Sequence, residues 1–164
     1  MTTEVPELDA YDARILEELQ RDARISMAEL GRKVHLSQPA VTERVRKLEI
    51  AGYIKGYRAV VDYQRLGYGI RAMVRVGRVE YGRMLQLIEQ TPEVVNAFNV
   101  TGEDSWILEI AVIDVEHLDA VVTKFCLLAE TSTSIVLNMP REHSAVLPAR
   151  RENIKPAIRK VTGR

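Results

Sequence analysis

The sequence predicts an α+β protein with a helical N-terminal half and a C-terminal half in which strands and helices alternate. Apolar residues recur at helical spacing up to about residue 50, and a period of two begins at residue 70. Of the 164 residues, 46% are hydrophobic and 28% are charged, which is typical of a soluble globular protein and excludes disorder throughout. Because the sequence has no membrane-length apolar run and no signal peptide, we expect a cytoplasmic protein with no membrane partner.

Three capped helices are predicted before residue 53. Asp9 is the expected N-cap of the first helix, which ends near Asp22. Ser26, with a glutamate three residues later, begins a short second helix, and Ser37 begins a third that ends at Gly52. The apolar residues expected to face inward are Ile15, Leu16 and Leu19 in the first helix, Met27, Leu30 and Val34 in the second, and Val41, Val45 and Leu48 in the third.

The short connection between the second and third helices, residues 35–37, predicts a helix-turn-helix. Residues 32–58 hold seven Lys or Arg against two Asp or Glu, a net charge of +5, whereas residues 1–31 have a net charge of −5. Since 23 basic and 23 acidic residues balance over the chain, this local excess is what favours DNA binding. The β-type pattern at residues 53–61 is expected to form a wing. The alternative is a helical subdomain whose basic face is only solvated.

The third helix would supply most of the contacts to DNA. Side chains in its first two turns are expected to read base edges, and the cations beyond them are expected to contact phosphates. The predicted DNA-binding residues are Ser37 at the cap, Gln38, Pro39, Thr42 and Glu43 in the first two turns, and Arg44, Arg46 and Lys47 beyond them. The cations that would extend the phosphate contacts are Arg32, Lys33, Lys55 and Arg58.

The second half predicts the β-α-β-β-α-β order of a ferredoxin-like domain. Strands are expected at residues 70–76, 94–100, 106–113 and 134–139, with one helix at 82–90 and another that begins at Asp114. The positions expected to face the core are Ile70, Ala72, Val74 and Val76 in the first strand, Leu85 and Ile88 in the first helix, and Leu118, Val121, Val122, Phe125 and Leu128 in the second.

Signals for catalysis are weak, so we expect no enzyme, no cofactor and no metal. The three histidines are far apart in sequence, and none has a Cys or His neighbour at metal-ligand spacing. The single cysteine, Cys126, lies in an apolar stretch and is expected to be buried. The Gly67-Tyr-Gly69 segment lacks the context of a nucleotide-binding loop, and the adjacent carboxylates Glu103 and Asp104 are typical of a solvated loop.

Together these features resemble the Lrp/AsnC family of bacterial and archaeal regulators, also called leucine-responsive or feast/famine regulators. The resemblance covers about residues 8–140. In the first half it includes the Leu-Ser cap, a Val four residues after that Ser, and an Arg-Val-x-x-Leu-Glu-x-x-Gly-x-Ile run at residues 44–54. In the second half it includes the order of elements and a Thr-Gly loop at residues 101–102 followed by an apolar strand.

The resemblance implies a homodimer built through paired sheets of the C-terminal domains, with dimers assembling into tetramers or octamers. It also implies that a free amino acid binds between dimers, at the loop before the third strand and at the segment between the last helix and last strand. The effector-binding residues implied in this way are Gly102, Glu103, Asp104 and Ser105 in the loop, and Thr131, Thr133 and Ser134 in the later segment. The chain departs from the family at Ser105, where an Asp is common, and at Ala129, where a Gly is frequent.

Four segments are therefore expected. Residues 1–62 form a winged helix-turn-helix DNA-binding domain, residues 63–69 a linker, and residues 70–140 a ferredoxin-like domain for effector binding and oligomerisation. Residues 141–164 form a basic tail of net charge +5, expected to be disordered, with a helix that packs on a neighbouring subunit or touches DNA as the alternative.

The functional hypothesis is a sequence-specific transcriptional regulator that binds double-stranded DNA and responds to a small-molecule effector, an amino acid. The alternative is an architectural protein that coats DNA with little sequence specificity. An enzyme built on the ferredoxin-like half is a distant third, because the sequence contains no recognisable nucleophile, metal cluster or cofactor loop.

Overall fold

The computed structural model describes residues 8–149 of the chain. Across these residues the chain forms five helices and four strands, divided between two compact units. Residues 8–59 and 141–149 belong to the first unit, and residues 60–140 form the second. A helical unit is thus followed by an α+β unit, as the sequence predicts.

The first unit contains three helices around one apolar core. Their bounds are α1 Ala10–Arg21, α2 Met27–Val34 and α3 Gln38–Ile50. The predicted N-caps are confirmed, since Asp9 forms a reciprocal capping box with Asp12, and the hydroxyls of Ser26 and Ser37 each accept a backbone N–H of the following turn. The buried core residues are Ile15, Leu19, Ile25, Leu30, Val34, Val41, Val45 and Leu48.

The turn between α2 and α3 depends on one glycine. The N–H of Leu36 donates to the carbonyl of Gly31 at 2.8 Å, and His35 adopts a left-handed conformation with a φ of 60°. A Cβ at residue 31 would lie 2.7 Å from the carbonyl oxygen of Leu36. The chain can therefore turn this tightly into α3 only because residue 31 has no side chain.

Helix α3 ends in a Schellman motif. Gly52 has a φ of 76°, and the N–H groups of Gly52 and Tyr53 donate to the carbonyls of Glu49 and Leu48, each at 3.0 Å. The following segment, residues 53–61, forms no strand, so the predicted wing strand is wrong. Because a β-ladder needs a second strand, and this segment has none beside it among the described residues, it runs without strand pairing.

The second unit is a four-stranded antiparallel sheet with two helices packed on one face. Its elements are β1 Ile70–Val76, α4 Tyr81–Glu89, β2 Val94–Asn99, β3 Trp106–Val112, α5 Val115–Cys126 and β4 Thr131–Ile135. The strand order β2-β3-β1-β4 confirms the ferredoxin-like arrangement. The buried residues from strands and helices that form the core are Ala72, Val74, Val76, Met84, Trp106, Leu108, Ile110, Val112, Leu118, Val121 and Phe125.

Three local expectations in this unit are wrong. The last strand begins at Thr131, which pairs with Val76 at the end of β1, and it ends at Ile135. In this register residues 138–139 lie beyond Ile70, where β1 begins.

In α4 the inward stripe consists of Met84, which is buried, and of Leu87 and Ile88, which pack against the core, whereas Leu85 is exposed. The i, i+3, i+4 spacing that starts at Met84 turns Leu85 about 100° away from the core. Cys126 is exposed, because it is the last residue of α5 and follows Phe125, the buried residue of that turn.

The first part of the C-terminal tail lies against the first unit. The side-chain amide of Gln20 in α1 accepts the N–H of Val146 at 2.8 Å and donates to its carbonyl at 3.0 Å. Residues 141–149 have no regular secondary structure. The predictions for the rest of the tail fall on residues 150–164, outside the described residues.

The tight turn after α2 gives a test of the first unit. In an ordinary helix interior, alanine in place of glycine stabilises by about 1 kcal/mol. For Gly31→Ala we expect a loss of about 1–3 kcal/mol in the free energy of unfolding, because the new methyl group must displace the carbonyl of Leu36. Urea denaturation followed by circular dichroism measures the change, and a variant as stable as the parent would contradict this close approach.

Candidate functional site

Helix α3 presents one face to solvent and buries the other. Val41, Val45 and Leu48 are buried beneath it, as the spacing predicts. The predicted DNA-binding residues on the exposed face are Ser37, Gln38, Pro39, Thr42, Glu43, Arg46 and Lys47. The exposed face of the helix therefore carries polar side chains in its first turns and the cations Arg46 and Lys47 beyond them.

An ion pair joins Glu43, a predicted base-reading residue, to Arg46, a predicted phosphate contact. The guanidinium of Arg46 donates to both carboxylate oxygens of Glu43, from Nε at 2.9 Å and from Nη2 at 2.8 Å. The ammonium of Lys47 lies 3.9 Å from the same carboxylate. The hydrogen bond from Arg46 lowers the pKa of Glu43, so the carboxylate stays ionised at neutral pH. A DNA phosphate that contacts Arg46, as the sequence predicts, would compete with Glu43 for this guanidinium.

Arg44, unlike Arg46, forms its ion pairs with residues at the start of α1. Its Nη1 lies 2.8 Å from a carboxylate oxygen of Asp9 and 2.8 Å from one of Asp12, and its guanidinium carbon lies 5.5 Å from the ring centre of Tyr11. Arg44 therefore links α3 to the start of α1 through two charge-assisted hydrogen bonds. The spacing of residues did not predict this structural role, and contact of Arg44 with phosphate stays a prediction.

The other cations near α3 also differ in their surroundings. Lys33 forms an ion pair with Glu18 at 2.7 Å, which raises the pKa of Lys33. Arg32, Lys55 and Arg58 are exposed on the first unit. The local net charge therefore overstates how many cations can bind phosphate without first losing a partner.

In the second unit, three segments meet at the end of β1. The loop before β3 lies on one side, where the N–H of Ser105 donates to the carbonyl of Val76 at 2.9 Å. The segment before β4 lies on the other side, where the N–H of Gly77 donates to the carbonyl of Glu130 at 2.8 Å. The two segments implied in effector binding thus flank the same end of the sheet. In the loop, Gly102 has a φ of 125°, a conformation that favours glycine.

The pairing of β4 with β1 divides the predicted effector residues between the two faces of the sheet. Thr131 and Thr133 lie opposite Val76 and Val74, on the face that the helices cover. There the hydroxyl of Thr131 lies 2.8 Å from the Cys126 sulfur. Residues 132 and 134 lie on the other face, which we call the open face. The predicted residues therefore do not all line a single surface within one chain.

Sequence reasoning missed Arg75, which joins the loop to β4 on the open face. Its Nη2 donates to the hydroxyl of Ser132 at 3.2 Å, and its Nε lies 3.8 Å from a carboxylate oxygen of Asp104. The available signal was the alternation of β1, in which Arg71, Met73 and Arg75 fall between core residues. That pattern predicts an outward face, but it does not say which outward residue lies beside the loop.

No helix within residues 8–149 is long and apolar enough to cross a membrane. Over the same residues, no group of three or more His, Cys, Asp or Glu side chains is arranged to hold a metal ion.

The two units define a class of protein, a helix-turn-helix DNA-binding domain followed by an α+β domain with a candidate ligand site. Residues 8–49 match the AsnC-type helix-turn-helix domain, and residues 71–146 match the Lrp/AsnC ligand binding domain. The chain belongs to the Lrp/AsnC family of transcriptional regulators, which confirms the resemblance seen in the sequence.

Relatives match over most of the chain. The chain is 37% identical over 133 residues to the HTH-type transcriptional regulator LrpC of Bacillus subtilis, and the match covers 80% of this chain and 92% of that protein. The chain is also 32% identical over 151 residues to the glutamate uptake regulatory protein of Zymomonas mobilis, and this match covers 88% of this chain and 92% of that protein.

Solved structures of two regulators match this chain over most of their length. The structure of Bacillus subtilis LrpC has a TM-score of 0.77 at 36% identity, and the match covers 82% of this chain and 97% of that one. A transcriptional regulator of Neisseria meningitidis in complex with L-Met has a TM-score of 0.79 at 26% identity, with 85% of this chain and 96% of that one covered.

The contacts of Arg44 predict a loss of stability when it is removed. We expect Arg44→Ala to lower the free energy of unfolding by about 1–2 kcal/mol, because two partly exposed charge-assisted hydrogen bonds between α1 and α3 are lost. The matched control is Arg46→Ala, which removes only an exposed ion pair within α3 and should cost clearly less than Arg44→Ala. Urea denaturation of both variants measures the difference, and equal losses would contradict the structural role of Arg44.

The same contact predicts a pH dependence. The backbone N–H of Asp12 and the guanidinium of Arg44 lower the pKa of Asp9 below its ordinary value of 3.8. Ionised Asp9 therefore contributes stability above pH 3.8, and this contribution is lost as the pH falls through the lowered pKa of the folded state. The stability difference between the parent and Arg44→Ala should accordingly shrink in acid.

Proposed function

We propose that this chain binds specific DNA sequences through α3 and that an amino acid bound to its second domain changes its assembly or its affinity for DNA. The observation that carries the proposal is the exposed face of α3, where base-reading side chains come first and cations follow. The relatives named as transcriptional regulators support the DNA-binding half, and the L-Met complex of the Neisseria meningitidis protein supports an amino acid as the effector.

The Glu43 carboxylate favours sequence-specific binding over architectural coating of DNA. A carboxylate on a helix that faces DNA repels phosphates, so it lowers affinity for every sequence alike. In the major groove it can instead accept a hydrogen bond from the amino group of cytosine. A protein that coats DNA without regard to sequence gains nothing from such a residue, whereas a sequence-specific one gains discrimination.

We also propose that the open face is covered by the same face of a second copy, which forms a homodimer. Phe98 is 51% exposed there and lies opposite Ile107 in the β2–β3 pairing. Near them, Glu109 is nearly buried and forms an ion pair with Arg71. A surface that combines exposed apolar side chains with a satisfied ion pair suits a twofold interface. In functional terms, we assign residues 1–62 to DNA binding and residues 70–140 to effector binding and assembly.

Footprinting separates specific from architectural binding. On the DNA upstream of the gene for this chain, specific binding by a dimer predicts discrete protected sites whose half-sites lie roughly 10 bp, or a multiple of it, apart. Random competitor DNA should remove this protection only at a large excess. Uniform protection that random DNA competes away equally well would favour the architectural alternative.

Variants on α3 test which residues read bases. Arg46→Ala should weaken binding to all sequences and reduce the slope of log K against log salt by roughly one, as expected for a lost phosphate contact. Gln38→Ala and Thr42→Ala should instead relax the preference at particular base pairs, by about 1–3 kcal/mol where a bidentate contact is lost and less for a hydroxyl. Equal losses on specific and random DNA for all three variants would exclude these roles.

A further inference from the structure

We propose that Tyr57 is a positioning residue that holds the segment after α3 against the end of this helix, as a second contact with DNA phosphates. The contacting cations are Lys55 and Arg58, and the bond that holds them in place joins Tyr57 to Glu49. This inference rests on the proposed function, because it extends the surface that binds DNA. The wing strand predicted from the sequence does not form, and this bond holds the segment in another way.

Two anchors attach the segment to the first unit. At its start, Tyr53 and Ile54 pack against the core, and their N–H groups donate to the carbonyl of Leu48 at 3.0 and 3.2 Å. At its end, the hydroxyl of Tyr57 donates to Oε1 of Glu49 at 2.9 Å. The short stretch between the anchors is therefore held beside α3, although it pairs with no strand among the described residues.

The second anchor lies on the side of α3 that carries the predicted DNA contacts. Glu49 follows Thr42 by seven residues, close to two helical turns, so the two side chains lie in line and roughly 10 Å apart along the helix. Glu49 also follows Arg46 by three residues, which makes these two neighbours on the helix surface. All three are exposed. Tyr57 therefore binds at the C-terminal end of the row that contains the base-reading candidates.

The dimensions of DNA place phosphates near this end of the helix. The major groove is about 12 Å wide, and the N-terminal residues of a recognition helix contact the base edges within it. A group roughly 10 Å further along α3 than Thr42 lies close to the edge of the groove, where the sugar-phosphate backbone runs. Cations held there contact phosphates rather than bases.

Lys55 and Arg58 are available for such contacts. Both are exposed, and within residues 8–149 neither forms an ion pair. Arg46, by contrast, is paired with Glu43. Because an unpaired cation contacts phosphate without the loss of an existing ion pair, Lys55 and Arg58 add to the affinity for DNA at no such cost.

The phenol of Tyr57 is a permanent donor for this bond. Burial and the neighbouring carboxylate of Glu49 raise the pKa of Tyr57 to about 12. The hydroxyl therefore keeps its proton at neutral pH, and Glu49 offers the charged acceptor that makes the hydrogen bond stronger than a neutral one.

The salt dependence of DNA binding tests Tyr57. Tyr57→Phe removes only the hydroxyl, and we expect it to bind the protected site and random DNA each about threefold to tenfold more weakly at low salt. The slope of log K against log salt should fall by roughly one to two, because two phosphate contacts are weakened. The preference between the two DNAs should not change. The control is Tyr81→Phe, at an exposed tyrosine of the second domain, which should bind DNA as the parent does.

Two variants at Glu49 isolate the hydrogen bond from the charge. Glu49→Gln and Glu49→Leu both remove the carboxylate, but only Gln retains an oxygen that can accept the hydroxyl of Tyr57. We expect the Leu variant to bind both DNAs about threefold or more weakly than the Gln variant, with a smaller salt slope. Equal binding by the two variants would show that the hydrogen bond does not support DNA binding.

A double-mutant cycle shows whether Tyr57 acts through the cations. Lys55→Gln combined with Arg58→Gln should reduce the salt slope of the parent by roughly two. In the Tyr57→Phe background the same two substitutions should have a much smaller effect, because the cations are no longer held at the phosphates. Equal effects in the two backgrounds would overturn the positioning role.

The outcomes distinguish this inference from the function on which it rests. If the parent binds no DNA, both fail. If the parent binds DNA and Tyr57→Phe retains its affinity and salt slope, the role of Tyr57 is wrong while the proposed function stands. A Tyr57→Phe variant that changes only the oligomeric state would assign the segment to a contact between copies, which also overturns the proposal. Circular dichroism verifies that each variant is folded, and simple destabilisation would not produce the expected cycle.

Discussion

The antiparallel pairing of β1 with β3 on one side and β4 on the other is the constraint on which the second domain depends. Alternate residues of β1 fill the core, and the residues between them form the open face. A shift of one residue would bury Arg75 and expose Val74 and Val76, and both exchanges are costly. The hydrophobic core therefore determines which side chain of β1 lies between the loop and β4.

In the first domain, two arginines of α3 have different partners and different roles. Arg44 and Arg46 are two residues apart on α3, yet Arg44 binds the carboxylates at the start of α1 and Arg46 binds Glu43 on the exposed face. One therefore stabilises the packing of the helices and the other is accessible to DNA. The ion pair between Glu43 and Arg46 holds one base-reading candidate and one phosphate-binding candidate in a defined arrangement. In the proposed complex with DNA, Glu43 would release or share Arg46.

Local features were predictable from sequence, whereas features that depend on distant partners were not. The caps at Asp9, Ser26 and Ser37 follow from residues within one turn of the chain, and the structure confirms them. The end of β4 depends on where β1 begins, and the wing segment has no second strand beside it among the described residues. The same reasoning explains why Arg75 was missed: an arginine on the outward face of a strand is ordinary until the pairing of three segments shows what lies beside it.

The most direct test of the account is whether the ligand site and α3 are energetically coupled. The affinity of the protein for its protected DNA site is measured with and without the bound amino acid, and the affinity for the amino acid is measured with and without that DNA. Linkage requires the two ratios to be equal, and the account predicts a change of about fivefold or more in both. If each ligand binds with an affinity that is independent of the other and the amino acid leaves the oligomeric state unchanged, the second domain does not regulate DNA binding, and the proposed function is contradicted.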